Sequence, residues 1–389
     1  RRPFHLIYRL QRRDGTWRYL EEWGAGVFAG ETVQYLEGFI QDVTERELAR
    51  ERIEYLATHD PLTGLYNRLF LEEVLQRKNL SYPLGVLLCD VNGLRLVNEA
   101  FGQGKGNEFL SCVAQALREE CPPDAFLFRF GGDEFLVLLP EASEETLRNL
   151  GHNLAGCCLG KCSDPIPLSL SVGWSLGEDP EEPFELVLSR AEQWLHRRKL
   201  TEDRSAHSAI VALLERSLQE TTQETEAHAQ RMVTLTRRLG EALKLHDEDL
   251  EKLELLARLH DLGKIAVPPG ILDKPGSLTP QEWEVVRRHP EAGYRIAQAS
   301  FDLTSIAPAI LAHHERYDGT GYPQGLRGEE IPLLARIVAV VDAYDVMRTG
   351  RPYKPPMGKD EAIAELRRCS GTQFDPRVVE VFLHILERE

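Results

Sequence analysis

Hydrophobic positions along the 389-residue chain follow three regimes in turn. Residues 1–42 read as short strands. Leu6-Ile7-Tyr8-Arg9-Leu10 and Trp17-Arg18-Tyr19-Leu20 flank Asp14-Gly15, a hairpin signal, and a second strand pair follows around Val27-Phe28 and Tyr35–Ile40. Residues 44–58 are charged, with Leu48, Ile53 and Leu56 roughly on one face. That is a helix, either pairing in a dimer or serving as a plain amphipathic connector. Residues 59–204 mix the two periods. Leu84–Val91 is a buried-strand run, helix-like sequence follows near Gly106–Glu119, and Phe126–Phe130 with Phe135–Leu139 flank a Gly131-Gly132 turn. A helix near 143–157, a strand near Ile166–Trp174 and a helix near 183–199 complete an α+β domain, a sheet flanked by helices. A connecting helix over 205–222 leads into an all-α region, 223–389, broken at Pro268-Pro269-Gly270, Lys274-Pro275-Gly276 and Asp318–Pro323.

The length supports two or three domains. A net charge of -16 argues against general nucleic-acid coating but leaves room for a phosphorylated ligand in a locally basic pocket. No apolar run approaches the roughly 20 residues that span a bilayer, so no membrane segment is expected here, nor is a signal peptide. The seven cysteines are odd in number and form no Cys-x-x-Cys, which fits reduced thiols in a cytoplasmic protein. The chain opens at Arg1 inside a patterned segment, and a truncated N-terminus with an anchor or sensor upstream is the expectation. The stretch Leu36–Arg46 resembles the end of a PAS sensor domain, where the last strand runs into a signalling helix. Residues 1–43 are assigned to that remnant and 44–58 to the signalling helix.

Carboxylates in the middle domain sit where strands end. Asp90 closes an apolar strand, and Asp133 and Glu134 follow two glycines. Such groups hold Mg²⁺ beside a backbone that a phosphate can approach, or they form a solvated acidic turn. Arg129–Phe135 contains the Gly-Gly-Asp-Glu-Phe signature, and His59–Arg68 and Asp90–Gly106 are similar to further segments of the same family, GGDEF. The resemblance implies a diguanylate cyclase in which two facing domains each hold one GTP. Asp90 and Asp133 would bind Mg or Mn, and Glu134 would assist with metal or proton transfer. Asn98 would contact guanine and Lys199 the triphosphate. Asn107 stands where the family usually has Asp, and an amide offers guanine one acceptor and one donor instead of two acceptors. Weaker GTP use or relaxed base choice is expected. The family's Arg-x-x-Asp inhibition motif is replaced by Pro122-Pro123-Asp124-Ala125.

The helical region carries Glu224, His228, His260, Asp261, His289, His313, His314 and Asp342, each beside apolar helical sequence. An uncompensated charge there is costly, and metal ligation accounts for the whole set where core burial accounts for single histidines. Imidazole and carboxylate without thiolate suit Fe or Mn, with Zn less favoured. Lys264, Arg351 and Lys354 are cations that can hold phosphate oxygens or stand as solvated charges. His260–Lys264, His289-Pro290, His313–Pro323, Arg351–Lys354 and Gly371–Pro376 closely resemble the HD-GYP family. That resemblance implies hydrolysis of cyclic di-GMP to pGpG or GMP by a metal-activated water attacking phosphorus in line. Asp261 and Asp342 would bridge metals, and Lys264 would stabilise developing charge. Glu224 with His228 would hold a third ion, giving two or three metals. Tyr322 in the Gly-Tyr-Pro loop either stacks on a base or partner, or is part of a structural turn.

The sequence therefore reads as a cytoplasmic signalling enzyme, a cyclic di-GMP phosphodiesterase with a GGDEF domain that makes cyclic di-GMP or regulates by binding GTP. A homodimer through the PAS remnant, signalling helix and GGDEF domain is expected. Alternatives are action on another nucleotide or cyclic dinucleotide, and a middle domain that only binds nucleotide or dimerises.

Overall fold

The computed structural model describes residues 3–77, 80–157, 166, 168–221, 226–274, 276–350 and 355–388. Strands β1 (Phe4–Gln11), β2 (Trp17–Ala29) and β3 (Thr32–Asp42) pair antiparallel in that order. The Asp14-Gly15 hairpin forms where the sequence places it, with Gly15 at φ +87° and the Asp14 carboxylate accepting from the Thr16 amide at 2.9 Å. Val27-Phe28 belongs to the far end of the 13-residue β2 and pairs with β3. Gly24 and Gly26 do not break that strand, because the Phe4 and Phe28 rings lie over the space their missing side chains leave. Helix α1 (Thr44–Thr58) follows at once. Tyr19 donates its amide to Thr44 Oγ1 at 2.9 Å, and Arg46 pairs with the buried Glu21 at 2.7 Å, which ties helix to sheet. Leu48 and Ile53 remain exposed.

The middle domain is an antiparallel sheet in the order β5-β6-β4-β7. Its strands are β4 (Leu84–Val91), β5 (Phe126–Arg129), β6 (Glu134–Leu139) and β7 (Leu170–Gly177). Around it lie α2 (Arg68–Gln76), α3 (Leu94–Phe101), α4 (Gln103–Glu120) and α5 (Glu144–Cys157). The unbroken apolar run of β4 has a direct cause, since both faces of the sheet are covered. Leu87, Cys89 and Val91 enter one core, while Leu84, Val86 and Leu88 enter the other. Sequence reading missed α3, an eight-residue helix framed by Gly93 and Gly102, both at positive φ.

The helix expected near 183–199 and the connecting helix expected at 205–222 are one element, α6 (Phe184–Thr221), with no break between them. No Gly or Pro interrupts the sequence there, so nothing ends the helix at the domain boundary. At Gly173 on β7 an added Cβ would lie 2.2 Å from the Ala191 carbonyl oxygen and 2.4 Å from the Leu195 amide, so α6 rests directly on the sheet.

The remaining helices are α7 (Glu226–Ala242), α8 (Asp247–Leu259), α9 (Pro269–Leu272), α10 (Pro280–Arg287), α11 (His289–Gln298), α12 (Ala307–Ala312), α13 (Leu333–Thr349), α14 (Lys359–Cys369) and α15 (Pro376–Leu386). Helix α3 packs against α11 and against the short 3₁₀ turn Leu262–Ala266. Glu99 pairs with Arg295 at 3.2 Å, and Ser208 donates to Asp302 at 2.9 Å. The two sequence-defined domains thus share packed surface. No described helix is long and apolar enough to cross a membrane.

Two glycine substitutions should move stability in opposite directions. Gly173→Ala must push α6 off β7 and is expected to cost about 1–3 kcal/mol in urea unfolding. Gly104→Ala, in the α4 helix with nothing within 4 Å of an added Cβ, is expected to gain about 0.4–1 kcal/mol.

Candidate metal centre

The residues flagged in the helical region arrive from separate helices. His228 lies in α7, His260 and Asp261 directly follow α8, and His289 opens α11. His313 and His314 follow α12, and Asp342 lies in α13. Asp261, His289, His313 and His314 each bring a ligand atom within 4.8 Å of the others, and His228, His260 and Asp342 form a second such group. Asp261 stands between the groups. Its Oδ1 lies 3.1 Å from His289 Nε2 and 3.6 Å from His313 Nε2, while its Oδ2 lies 3.3 Å from His260 Nε2 and 2.6 Å from Lys264 Nζ. Gly263 makes this approach possible, because a Cβ there would sit 1.8 Å from the His289 carbonyl oxygen.

The ring tautomers show what such a site can hold. Nδ1 of His289 lies 2.6 Å from the Val286 carbonyl, Nδ1 of His313 lies 2.6 Å from that of Ile310, and Nδ1 of His260 lies 3.2 Å from that of Ala257. A carbonyl only accepts, so each Nδ1 carries a proton, and a ring with no second proton turns an Nε2 lone pair inward. His289 Nε2 and His313 Nε2 are 3.2 Å apart, both facing Asp261 Oδ1. Three acceptors converging in a buried space require a cation. Burial lowers the His313 pKa, and burial with the neighbouring His313 lowers that of His314 further, so imidazolium is disfavoured at those two positions. Burial pushes the Asp261 carboxyl up, but Lys264 and the flanking histidines outweigh it and hold the group well below the usual carboxylate range. Neutral imidazoles around a carboxylate are a donor set that fits divalent metal.

Asp345, which sequence reading did not single out, completes the second group. It is buried and accepts from His228 Nδ1 at 2.7 Å and from Arg231 at 2.6 and 2.8 Å. This orients His228 Nε2 toward Asp342 Oδ1, 3.8 Å away. The available signal was its spacing, one helical turn beyond Asp342 on α13. Glu224, Arg351 and Lys354 lie outside the described residues.

The loop after His314 is fixed from beneath. Glu315 is buried, and its Oε1 accepts from the Gln324 and Gly325 amides at 2.7 and 3.1 Å. The amides of Tyr317 and Asp318 donate to the carbonyls of Gln373 and Thr372 at 3.2 and 2.8 Å, which gives the Gly371–Pro376 segment a structural task. A Cβ on Gly321 would lie 2.3 Å from the Arg316 amide nitrogen. Tyr322 stacks on His314 at 5.0 Å, and the Arg287 guanidinium lies 4.7 Å from the Tyr322 ring centre. Burial and the nearby Asp261 charge push the Tyr322 hydroxyl up to about 12.

In the middle domain, Asp90 and Glu134 are direct partners across β4 and β6, and the Asp133 carbonyl accepts from the Val91 amide at 3.1 Å. The carboxylates are thus grouped at one sheet end. Arg129 locks the hairpin to the opening motif through Asp60, 3.1 Å from either oxygen, and donates to the Gly132 carbonyl at 2.8 Å. Lys199, expected to contact the triphosphate, lies beside these carboxylates, its Nζ 2.7 Å from Asp90 Oδ2. Burial pushes Asp90 up to about 6, with Lys199 opposing. Asn98 packs its side-chain oxygen against Gly106, where a Cβ would come within 1.9 Å. Asn107 is exposed at the start of α4.

Two measurements follow from these geometries. Asp345→Asn should weaken Mn²⁺ binding by roughly 10–100-fold in a calorimetric titration while the fold persists; unchanged affinity would contradict the orienting role. For Asp90, the raised folded pKa means its contribution to stability is complete below the ordinary aspartate value of 3.8 and lost as pH rises through about 6. In metal-free protein, Asp90→Asn should therefore become progressively more stable than the parent between pH 4 and 7. A constant difference across that window would refute the burial argument.

Residues 57–205 match the family model described as diguanylate cyclase, GGDEF domain, and residues 212–378 match that described as HD domain. The chain is 40% identical over 210 residues to the cyclic di-GMP phosphodiesterase response regulator RpfG of Xanthomonas campestris, covering 54% of this chain and 55% of that protein. It is 44% identical over 168 residues to a cyclic di-GMP phosphodiesterase of Thermotoga maritima, covering 43% and 45%. It is 36% identical over 182 residues to 3'3'-cGAMP-specific phosphodiesterase 2 of Vibrio cholerae, covering 46% and 35%. The chain spans about half or less of the length of these relatives. The strand-end carboxylates and the histidine cluster fall within the two matched regions, and the chain carries a GGDEF domain followed by an HD domain.

Proposed function

We propose that this chain is a metal-dependent phosphodiesterase that hydrolyses cyclic di-GMP to pGpG or GMP. The observation that carries this reading is the Asp261 carboxylate, whose two oxygens face separate groups of inward-turned imidazole nitrogens. Asp261, His289, His313 and His314 would hold one metal, and His228, His260 and Asp342 a second, with Fe or Mn favoured by the donor types. Glu224 would add a ligand for a third beside His228. Bound metal supplies Lewis acidity and water activation for in-line attack at phosphorus. Lys264 holds its ammonium 2.6 Å from Asp261 Oδ2, where it would meet charge that builds on phosphate oxygens. Arg351 and Lys354 would bind substrate phosphates. The names of the Xanthomonas and Thermotoga relatives support cyclic di-GMP, and that of the Vibrio relative keeps a mixed cyclic dinucleotide as the alternative.

The GGDEF domain would bind GTP with Mg or Mn through Asp90, Asp133 and Glu134, with Asn98, Asn107 and Lys199 reaching the nucleotide, and either cyclise it or report its presence. The second role is favoured by α3, which carries Asn98 and packs on the turn that carries Lys264. The domain limits are 59–204 and 223–389, joined by the distal part of α6. The N-terminal sheet as a PAS remnant, a homodimer through it, α1 and the GGDEF domain, and a cytoplasmic location complete the reading.

Purified protein should convert cyclic di-GMP with Mn²⁺ or Fe²⁺, and His260→Ala should lower that rate by more than about a hundredfold. Asp133→Ala should leave hydrolysis in place and remove any cyclisation of GTP. Intact cyclic di-GMP alongside consumption of another cyclic dinucleotide would overturn the substrate assignment.

A further inference from the structure

Helix α10 buries none of its residues, yet its last residues build the wall of the metal centre. The Val286 carbonyl holds the His289 ring through Nδ1 at 2.6 Å, and His289 lies two positions beyond Arg287. The backbone of Arg287 is therefore fixed from both sides by groups that set a ligand's orientation. Its guanidinium lies over Tyr322, whose ring centre is 4.7 Å from the guanidinium carbon and which itself stacks on His314. Arg287 is exposed and has no ion-pair partner among the described residues. An exposed cation stacked on an aromatic face keeps its planar edge, and the N–H donors along it, open to solvent. On the same face of α10, one turn earlier, Trp283 is 49% exposed.

We infer that Arg287 is a specificity-determining residue whose guanidinium, held on Tyr322, reads a guanine base of the cyclic dinucleotide. The inference rests on the phosphodiesterase reading above. Guanine presents O6 and N7 as adjacent acceptors that match two parallel N–H donors, whereas adenine presents N7 beside an amino donor that meets the second N–H unfavourably. Stacking on His314, and the guanidinium beside it, also give Tyr322 a task. It acts as the platform that positions Arg287, in place of stacking on the base itself.

The test compares wild type, Arg287→Ala and Arg287→Lys on cyclic di-GMP, cyclic di-AMP and bis(p-nitrophenyl) phosphate, a phosphodiester without a base, in Mn²⁺. In parallel, calorimetry measures cyclic di-GMP binding to the metal-free proteins. Arg287→Ala should raise KM for cyclic di-GMP about tenfold with kcat nearly unchanged, and weaken its binding similarly. Turnover of cyclic di-AMP and of the base-free ester should change less than about twofold. Arg287→Lys should resemble Ala, because a point charge lacks the fork. Equal losses on all three substrates, full rescue by Lys, or no loss on cyclic di-GMP would each overturn the inference. Failure of the wild type on cyclic di-GMP with retained hydrolysis of the base-free ester would instead overturn the substrate reading, and the binding data would still decide the role of Arg287.

Discussion

The C-terminal half is organised around one carboxylate that points two ways. Asp261 sits between α8 and a tight 3₁₀ turn, so its oxygens divide between His289 with His313 on one side and His260 with Lys264 on the other. A buried carboxylate so placed is tolerable only while its charge is balanced. The surrounding helices supply that balance. Gly263 lets the turn press against the start of α11, α12 delivers two histidines, and α13 delivers Asp342 together with the Asp345 that orients His228.

The same construction joins the two domains. Helix α6 leaves the GGDEF sheet without a break, and α3 returns the contact by packing on the 3₁₀ turn. Asn98 in one candidate site and Lys264 in the other are therefore carried by elements in direct contact. A ligand that shifts α3 acts on the backbone that holds Asp261, which is the physical content of any regulation between the sites.

Much of this was legible from residue types. The β4 run, the hairpin around Gly131-Gly132 and the clustering imidazoles and carboxylates from His228 to Asp342 were visible, because burial on both sheet faces leaves an unbroken apolar run and because such groups beside apolar helices need an explanation. The two side chains that stayed hidden depend on tertiary contacts. Asp345 is one of many acidic residues until α7 places His228 against it. Arg287 looks like a solvated helix end until the loop brings Tyr322 beneath it. Helix α3 was obscured by its bounding glycines, and the merger of two expected helices into α6 followed from the lack of any stop signal.

The most direct test of the central claim is metal content per chain, measured by mass spectrometry on protein purified without oxygen. If Asp261 links two metal groups, the wild type carries two or three Fe or Mn ions and Asp261→Asn loses at least one ion from each chain while remaining folded. Equal metal content in the two proteins, or a wild type that binds none when supplied with both metals, would contradict the account.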